Sequence, residues 1–438
     1  MSGQHLADQD TPVFGVPLEN VIPVNDSPGR MAAIEPSRMF LIRAGLNAYQ
    51  QKHPDSPMYD ASQGDGGASL PGVPRAILER AHQLQLEQGT SYDMPYGADR
   101  FRKAVVESYW KFDSASGLGP ANVLAAVGGR DALVKAYEAM LHLGHGRLGD
   151  VIIASRVPWI GHNWGPYGIG ANVALAPGDP AEAWAYTPEA IRATCEFVED
   201  AGRKVAGVII TSPDNPTGRT ITLERQAALA RVALEAGAAF VVFDWMYHAV
   251  TDEQPNDLNQ FIRLFSAEER QRLIFMDGIT KSLGGSNIRN GHLIAPKAVV
   301  DFIAARASHA VIPSFHSQAV AIAAYEMGFQ QAAQPLISVI NASRVALKQA
   351  LDARGWRHIL GKGYYAFIDV GDWLRRAGMA DSAALGETLA RDWGVAVVPG
   401  IYFSPYASDW IRFSYATPVE KTLGALDRLA EALDALAR

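Results

Sequence analysis

The sequence predicts an α/β fold: a large domain with a mostly parallel β-sheet covered by helices, and a smaller α/β domain built from both ends of the chain. Short apolar runs alternate with helical patterns between about residues 127 and 295. The runs lack the polar alternation of a half-exposed strand, which is typical of strands buried on both faces of a parallel sheet. Strands that alternate with helices in this way indicate an α/β architecture.

The predicted large domain spans residues 67–325. A short strand that ends near Val127 comes first, and the apolar runs that follow predict strands at 151–154, 207–211, 239–243 and 273–276. The segment 222–235 has the spacing of an amphipathic helix, with Gly237 as a stop signal.

The predicted small domain combines residues 1–66 with residues 326–438. Its first part is rich in proline, asparagine, aspartate and glycine, and contains one helical stretch at about 37–51. Its second part predicts a helix, strands near 364–370 and 395–398, and a last amphipathic helix.

That last helix begins at Thr417, Pro418 and Glu420, the pattern of a capping box with proline in the first turn. Its leucines then fall on one stripe, which predicts packing against the core: Leu423, Leu426, Leu429, Leu433 and Leu436.

The composition limits the classes of protein to be considered. With 438 residues and 48% hydrophobic residues, the chain is neither a small stapled scaffold nor a disordered protein. Its 39 basic and 46 acidic residues give a net charge of -7, which argues against nucleic acid or an anionic membrane as a partner. The single cysteine, Cys195, cannot form an internal disulfide, and we expect a cytoplasmic protein.

No membrane-spanning helix is predicted. The longest stretch without a formal charge, 307–325, contains Pro313, His309, His316 and Gln318. These polar groups would lack partners in hydrocarbon.

Four polar groups follow predicted strands. They are Asn215 in a Ser-Pro-Asp-Asn-Pro-Thr-Gly turn, Asp244 with Tyr247, Lys281 with Arg289, and the glycine-rich start of a helix at Gly129 and Arg130. Singly, each is typical of a turn or a solvated surface charge. Ligands bind at the carboxyl ends of parallel strands, so together the groups predict one site.

This set supplies what pyridoxal 5′-phosphate needs from a protein. The amine of Lys281 would bond to the cofactor aldehyde, and the carboxylate of Asp244 would keep the pyridine nitrogen protonated. Asn215 and Tyr247 would reach the ring oxygen. No metal ligands are predicted.

The phosphate of that cofactor would lie at a helix N-terminus. The backbone amides of Gly129 and Arg130 would hold it there, because a helix N-terminus favours anions. Arg289 would add charge-assisted hydrogen bonds.

The motifs Asn215-Pro216-Thr217-Gly218, Asp244-x-x-Tyr247 and Lys281 followed by Arg289 resemble the fold-type I pyridoxal-phosphate enzymes, and class I/II aminotransferases in particular. The resemblance implies that Tyr92 reaches the phosphate of a neighbouring subunit, so that a homodimer shares its active sites. It also implies that Arg412 and Gly64 bind the substrate carboxylate, and that Trp159 stacks on the cofactor, with Trp164 as the second candidate.

The segment before the lysine departs from the pattern of that family. The family usually has Ser-x-Ser-Lys, whereas this chain has Gly278-Ile279-Thr280-Lys281. Thr280 therefore keeps one hydroxyl for the phosphate, and Gly278 offers none.

The resemblance implies an aminotransferase that moves the amino group of an amino acid to a 2-oxo acid by a ping-pong mechanism. A lyase, a synthase, or an oxidase or hydroxylase on the same cofactor is the alternative, because one fold hosts several chemistries. A regulatory ligand sensor would need a DNA-reading domain, and a nucleotide-binding protein would need a glycine fingerprint or P-loop; neither pattern is present. The identity of the substrate side chain stays open.

Overall fold

The computed structural model describes residues 10–22, 38–250 and 256–438. Within these ranges, short strands alternate with helices along most of the chain. The strands are β1 Val13–Phe14, β2 Tyr59–Asp60, β3 Val123–Ala126, β4 Val151–Ala154, β5 Asn172–Leu175, β6 Val205–Thr211, β7 Phe240–Asp244, β8 Leu273–Asp277, β9 Gly291–Ile294, β10 His358–Leu360, β11 Tyr365–Asp369, β12 Val395–Ala396, β13 Val398–Pro399 and β14 Trp410–Ser414.

The helices of the first half of the described chain lie between and around these strands. They are α1 Met39–Lys52, α2 Gly66–Ser69, α3 Arg75–Gln88, α4 Asp99–Ala104, α5 Gly128–Leu143, α6 Ile160–Trp164, α7 Pro188–Asp200 and α8 Leu223–Glu235. A π-helical turn, Val105–Tyr109, continues α4, and 3₁₀ turns occupy Leu18–Asn20, Pro120–Asn122, Pro166–Ile169 and Pro180–Glu182.

The second half contains the remaining helices. They are α9 Leu258–Ile262, α10 Ala267–Arg270, α11 Ile279–Ser282, α12 Lys297–Ala307, α13 Phe315–Glu326, α14 Phe329–Ala353, α15 Gly371–Ala377, α16 Ser382–Asp392 and α17 Val419–Leu436, with 3₁₀ turns at Gly400–Tyr402 and Pro405–Ala407.

Eight strands of the described residues form the large sheet, in the order β1-β5-β4-β6-β7-β8-β9-β3. The five central strands are β5, β4, β6, β7 and β8, and they run parallel. The strand β9 pairs antiparallel with both β8 and β3. The strands from β3 to β9 are buried almost throughout, as continuous apolar runs require. The predicted α/β fold class is confirmed.

A second, antiparallel sheet has the order β10-β11-β14-β13. In its register Phe367 lies opposite Arg412, and Tyr365 lies opposite Ser414. The pairing therefore brings Tyr365 and Arg412 close together in space, on adjacent strands. The short strands β12 and β2 pair separately, in parallel.

Two details differ from the sequence prediction. The strand β1 pairs with β5 in the large sheet, although residues 1–66 are predicted to belong with the small domain. The capping box of α17 does not form, because Pro418 occupies the N-cap position and offers no side-chain acceptor. The hydroxyl of Thr417 lies 2.9 Å from that of Thr422 instead.

The leucine stripe of α17 faces the core as predicted, with Leu426, Leu429 and Leu433 fully buried. The predicted helix at 37–51 corresponds to α1; Ser37 itself lies outside the described residues. Among the helices of the described ranges, none combines the length and apolar character that crossing a membrane requires.

Candidate active site

One cavity of about 620 Å³ lies where the carboxyl ends of β6, β7 and β8 meet the second sheet. Eleven of the twelve residues predicted to form the site line this cavity: Gly64, Gly129, Arg130, Trp159, Asn215, Asp244, Tyr247, Thr280, Lys281, Arg289 and Arg412. The parallel strands bring their following loops to one edge of the sheet, which is why residues so distant in sequence meet.

Lys281 lies on α11, four residues after the end of β8. Its amine donates a hydrogen bond to the carbonyl oxygen of Gly64, and its own carbonyl oxygen accepts a 2.5 Å hydrogen bond from the Tyr364 hydroxyl. Burial, together with the positive charges of Arg412 and Arg130, lowers the pKa of Lys281. A lowered pKa increases the fraction of neutral amine, which is the nucleophilic form.

Asp244 ends β7 and is buried. One carboxylate oxygen accepts a 3.1 Å hydrogen bond from the backbone N–H of Met246, and the other lies 3.1 Å from Nε2 of His162. His162 belongs to α6 and is also buried, with its ring edge-on to Trp159. Two contacts from different elements therefore fix the Asp244 carboxylate in the cavity.

Arg412 projects from β14 into the opposite end of the cavity and is 3% exposed. One guanidinium nitrogen donates to Oδ1 of Asn215 at 2.9 Å, and another donates to the carbonyl oxygen of Ser62 at 3.0 Å. The Nε atom is buried and has no hydrogen-bond partner among the described residues. A buried cation with donor capacity left over is suited to bind a carboxylate.

Tyr247 comes three residues after Asp244, and its hydroxyl lies 3.1 Å from the hydroxyl of Tyr365. Tyr365 comes from β11 of the second sheet and also lines the cavity. Burial raises the pKa of Tyr247, which keeps its hydroxyl protonated.

A cradle for an anion lies at the start of α5. A Cβ atom at Gly128 would lie 2.5 Å from the guanidinium of Arg289, and one at Gly129 would lie 2.4 Å from Cε of Met246. Only glycine therefore leaves the helix N-terminus and the guanidinium this close. Arg289 adopts the left-handed conformation, with φ of 57°, and donates to the carbonyl oxygens of Ser286 and Val127.

The same cradle contains two buried hydroxyl groups that have no hydrogen-bond partner in the described part of the chain, Oγ1 of Thr280 and Oγ of Ser286. Buried donors without partners are costly and point to a ligand that would accept their hydrogen bonds. A helix N-terminus, a guanidinium and two free hydroxyls together form a donor set that fits a phosphate.

The side chain of Arg130 does not turn toward that cradle. Its guanidinium carbon lies 5.6 Å from the ring centroid of Trp159, at the exposed mouth of the cavity. Trp159 lines this cavity, whereas Trp164 lines an adjacent one. The first of the two predicted tryptophans is therefore the one placed beside Asp244 and Lys281.

Tyr92 is the predicted site residue that lies elsewhere. The residue is 98% exposed and does not line the cavity of its own chain.

Among the cavity residues that sequence reasoning missed, those with a polar contact or an unpaired polar atom at the site are Ser62, His162, Ser286 and Tyr365. His162 stands three positions after Trp159, which is helical spacing and could have indicated a shared face. Ser62 binds through its backbone, and Tyr365 comes from another sheet. Neither leaves a local signal in the sequence.

The family description "Aminotransferase class I and II" matches residues 61–433 of this sequence. The chain belongs to the class I and II aminotransferases. An aspartate aminotransferase from Bacillus sp. (strain YM-2) is 26% identical over 369 residues, which cover 83% of this chain and 89% of the relative. An aspartate/prephenate aminotransferase from Thermus thermophilus is 25% identical over 414 residues, covering 92% of this chain and 98% of the relative.

Solved structures agree on the fold. The crystal structure of an aminotransferase from Mycobacterium tuberculosis has a TM-score of 0.77 and 21% sequence identity, and covers 94% of this chain and 100% of its own.

This aminotransferase therefore catalyses pyridoxal-phosphate-dependent transfer of an amino group, and the predictions of family, enzyme class and reaction are confirmed. The alternative chemistries on the same cofactor are not favoured, because the relatives and structural neighbours are aminotransferases.

Proposed function

We propose that this aminotransferase binds pyridoxal 5′-phosphate in the 620 Å³ cavity, bonded to Lys281, and transfers the amino group of an amino acid to a 2-oxo acid. The observation that carries the proposal is the meeting, in one cavity, of a lysine with a lowered pKa, a buried carboxylate and an anion cradle. No one of these features alone would be specific.

Each end of the cavity has a separate task. Asp244, held by His162, would bind the protonated ring nitrogen of the cofactor. Tyr247 and Asn215 would bind the ring oxygen, and Trp159 would cover the ring face. The amides of Gly129 and Arg130, with Thr280 and Arg289, would hold the phosphate.

When bound, the cofactor supplies an electron-withdrawing ring that stabilises negative charge at the substrate α-carbon. Residues of the chain would transfer the proton and bind the substrate. Lys281 Nζ would take the proton from the substrate α-carbon and would donate it to C4′ of the cofactor. Arg412 would hold the substrate carboxylate through two parallel hydrogen bonds, near the backbone of Gly64.

The assembly around this site is part of the proposal. We propose a homodimer in which Tyr92 of each subunit completes the phosphate cradle of the other, because that tyrosine is exposed and does not line the cavity of its own chain. We also propose a cytoplasmic protein, and a division of the chain into a large domain at 67–325 and a small domain formed by 1–66 and 326–438, from which only the strand β1 reaches across to the edge of the large sheet among the described residues. The four-stranded sheet, from His358 to Ser414, supports the second unit.

Two substitutions test the catalytic assignment by separating chemistry from binding. Lys281→Ala should lose turnover by several orders of magnitude, because the covalent anchor and the proton carrier are the same amine. Arg412→Lys should mainly raise KM, because a single ammonium cannot reproduce the paired hydrogen bonds of a guanidinium. Steady-state kinetics of both variants measures the changes in kcat and in KM separately.

Reduction with borohydride followed by peptide mass analysis shows whether the cofactor is attached at residue 281.

Arg43→Lys on α1, outside the cavity, is the matched control for the arginine substitution and should retain the parent kinetics. Turnover of Lys281→Ala equal to that of the parent would refute the assignment.

The substrate is identified with a panel of amino donors that carry acidic, aliphatic and aromatic side chains. Amino-group transfer converts the aldehyde form of the cofactor into its amine form, whereas elimination or oxidation does not leave the amine on the cofactor. The proposal expects at least one donor to give that conversion, and a 2-oxo acid to reverse it.

A further inference from the structure

Tyr365 occupies a central position in the cavity that the roles described above do not use. It lies on β11, is 1% exposed, and is in contact with groups from both ends of the site. Its neighbours are Tyr247, Arg412 and the backbone of Gly64.

The ring of Tyr365 supports Arg412. The guanidinium carbon lies 4.0 Å from the centroid of the Tyr365 ring, against 5.2 Å for the ring of Phe403. A guanidinium at this distance from an aromatic face is held in place by the ring quadrupole, and more strongly where water is excluded. The ring therefore limits the orientations from which Arg412 can bind a carboxylate.

The hydroxyl of Tyr365 reaches the other end of the site. It lies 3.1 Å from the Tyr247 hydroxyl, and a Cβ atom at Gly64 would lie only 2.6 Å from the same oxygen. The absence of a side chain at Gly64 is therefore what lets this hydroxyl reach Tyr247. The carbonyl oxygen of Gly64 in turn accepts the hydrogen bond of Lys281.

The charges around the hydroxyl agree with this placement. Burial alone would raise the pKa of Tyr365, but Arg412, Lys281 and the hydrogen bond with Tyr247 outweigh it and lower that pKa. Tyr365 conversely favours the charged form of Lys281. Tyr364 and Tyr415 also lie close enough to be influenced by Tyr365.

We infer that Tyr365 is a positioning residue of the amino-transfer site, whose ring orients Arg412 toward the substrate carboxylate and whose hydroxyl holds the hydroxyl of Tyr247 beside the cofactor ring. The inference rests on the proposed function, and adds one side chain that connects the two ends of the cavity. It gives the ring and the hydroxyl separate tasks, which separate substitutions can test.

Tyr365→Phe removes the hydroxyl and keeps the ring. KM for the best amino donor should stay within about twofold, while kcat falls about fivefold, as for the loss of one hydrogen bond. Tyr365→Leu also removes the ring, and KM should then rise about tenfold, as for the loss of a buried cation–π contact.

Tyrosine ionisation in the cofactor-free protein gives a readout that does not depend on activity. Ultraviolet difference titration of the parent should show one tyrosine that ionises at lower pH than the other buried ones, and Tyr365→Phe should abolish that step. Tyr247→Phe should move it to higher pH, because the hydrogen bond with Tyr247 lowers the pKa of Tyr365.

Tyr415→Phe is the matched control. Tyr415 is fully buried beside the same sheet, and its hydroxyl has no hydrogen-bond partner within the described ranges. This variant should retain the parent kinetics and the low-pH ionisation step.

The inference is overturned if Tyr365→Phe keeps the kcat of the parent, or if the ionisation step persists in it. It is also overturned if Tyr365→Leu, when folded, binds its donor as well as Tyr365→Phe does. Should the parent fail to take up pyridoxal 5′-phosphate, the proposed function fails, and the titration of the cofactor-free protein still decides whether Tyr365 has the contacts described.

Discussion

At the scale of single residues, Gly278 leaves no room for a side chain just before the lysine segment. A Cβ atom there would lie 2.7 Å from the carbonyl oxygen of Asn290 and 2.8 Å from Cα of Gly291. Both atoms belong to backbone at the start of β9, which is held in the sheet and cannot easily move. A serine therefore cannot occupy position 278 in this packing, and the hydroxyls near the cradle come from Thr280 and Ser286 instead.

Gly278→Ala tests this packing argument. We expect the free energy of unfolding to fall by about 1–3 kcal/mol, which is typical of overpacking against rigid neighbours. Denaturant unfolding of the cofactor-free protein measures the change.

Gly72→Ala is the control for Gly278→Ala, because a Cβ atom at Gly72 would meet no atom within 4 Å. Its stability should change by less than about 1 kcal/mol, through the chain-entropy effect of the extra methyl group alone. Equal stability of Gly278→Ala and the parent would show that β9 yields to the side chain.

At the scale of elements, a buried polar cluster joins the segments that carry Tyr247 and Lys281. Asp277 at the end of β8 accepts hydrogen bonds from the backbone N–H of Gly278, at 2.6 Å, and from the hydroxyl of Tyr109, at 2.5 Å. Nε2 of His248, the residue after Tyr247, lies 2.9 Å from the same carboxylate. One carboxylate thus ties the chain after β7 to the chain after β8, and limits how far the two loops can move apart.

His292 on β9 lies beside this cluster and makes it sensitive to acid. The indole N–H of Trp110 donates a 3.0 Å hydrogen bond to Nε2 of His292, so this nitrogen accepts and carries no proton. Burial lowers the pKa of His292 from 6.5 to about 4, and the nearby Asp277 only partly offsets this.

The acid sensitivity of the cluster gives a prediction with a defined sign. As the pH falls from 6.5 toward 4, the unfolded chain binds a proton at residue 292 and the folded chain does not, so stability is lost across this window. The full effect of a shift of this size is about 3 kcal/mol. Denaturant unfolding of the parent at a series of pH values measures it.

His292→Gln keeps an acceptor for the Trp110 indole and removes the titration. Its stability should therefore depend less on pH between 6.5 and 4 than that of the parent. His82→Gln, at an exposed position on α3, is the control and should keep the parent slope. Identical slopes in the parent and His292→Gln would contradict the prediction.

Local patterns explain which elements the sequence could predict. The strand 151–154 matches at both ends, because a buried parallel strand is apolar throughout its length. The stripe of α17 is likewise a property of that helix alone. The prediction for the N-terminus of α17 is wrong, because Pro418 occupies the N-cap position. The hydroxyl of Thr417 lies beside that of Thr422, within the helix, instead of capping the helix.

The site residues likewise divide into those that local sequence patterns predict and those that depend on tertiary packing. The order of parallel strands brings Asn215, Asp244 and Lys281 to one edge, and this follows from the chain order of strands and loops. The contacts of Tyr365 with Tyr247 and Arg412 depend instead on how the antiparallel sheet packs against that edge. Such packing is set by tertiary contacts, for which the single sequence carries no periodic signal.

At the scale of the whole molecule, the exposure of Tyr92 is consistent with the proposed homodimer. Tyr92 is 98% exposed, and Met94 two residues later is 58% exposed. Exposed apolar side chains that cluster on a surface are typical of a region that binds a partner. If Tyr92 completes the cradle of a second copy, each active site takes Lys281 from one chain and Tyr92 from the other.

Mixed dimers test this assembly directly. Lys281→Ala keeps Tyr92 but lacks the reactive amine, and Tyr92→Ala keeps the amine but lacks the tyrosine. After the two inactive or weakened variants are unfolded together and refolded, half of the dimers are mixed, and each mixed dimer contains one site with both residues intact. The activity should therefore rise to about a quarter of that of the parent, as the closed symmetry of a dimer requires.

Separately refolded variants that are combined afterwards serve as the control, since their subunits have had no opportunity to exchange. A refolded mixture no more active than this control would mean that Tyr92 serves its own chain or none, and the shared site would have to be abandoned.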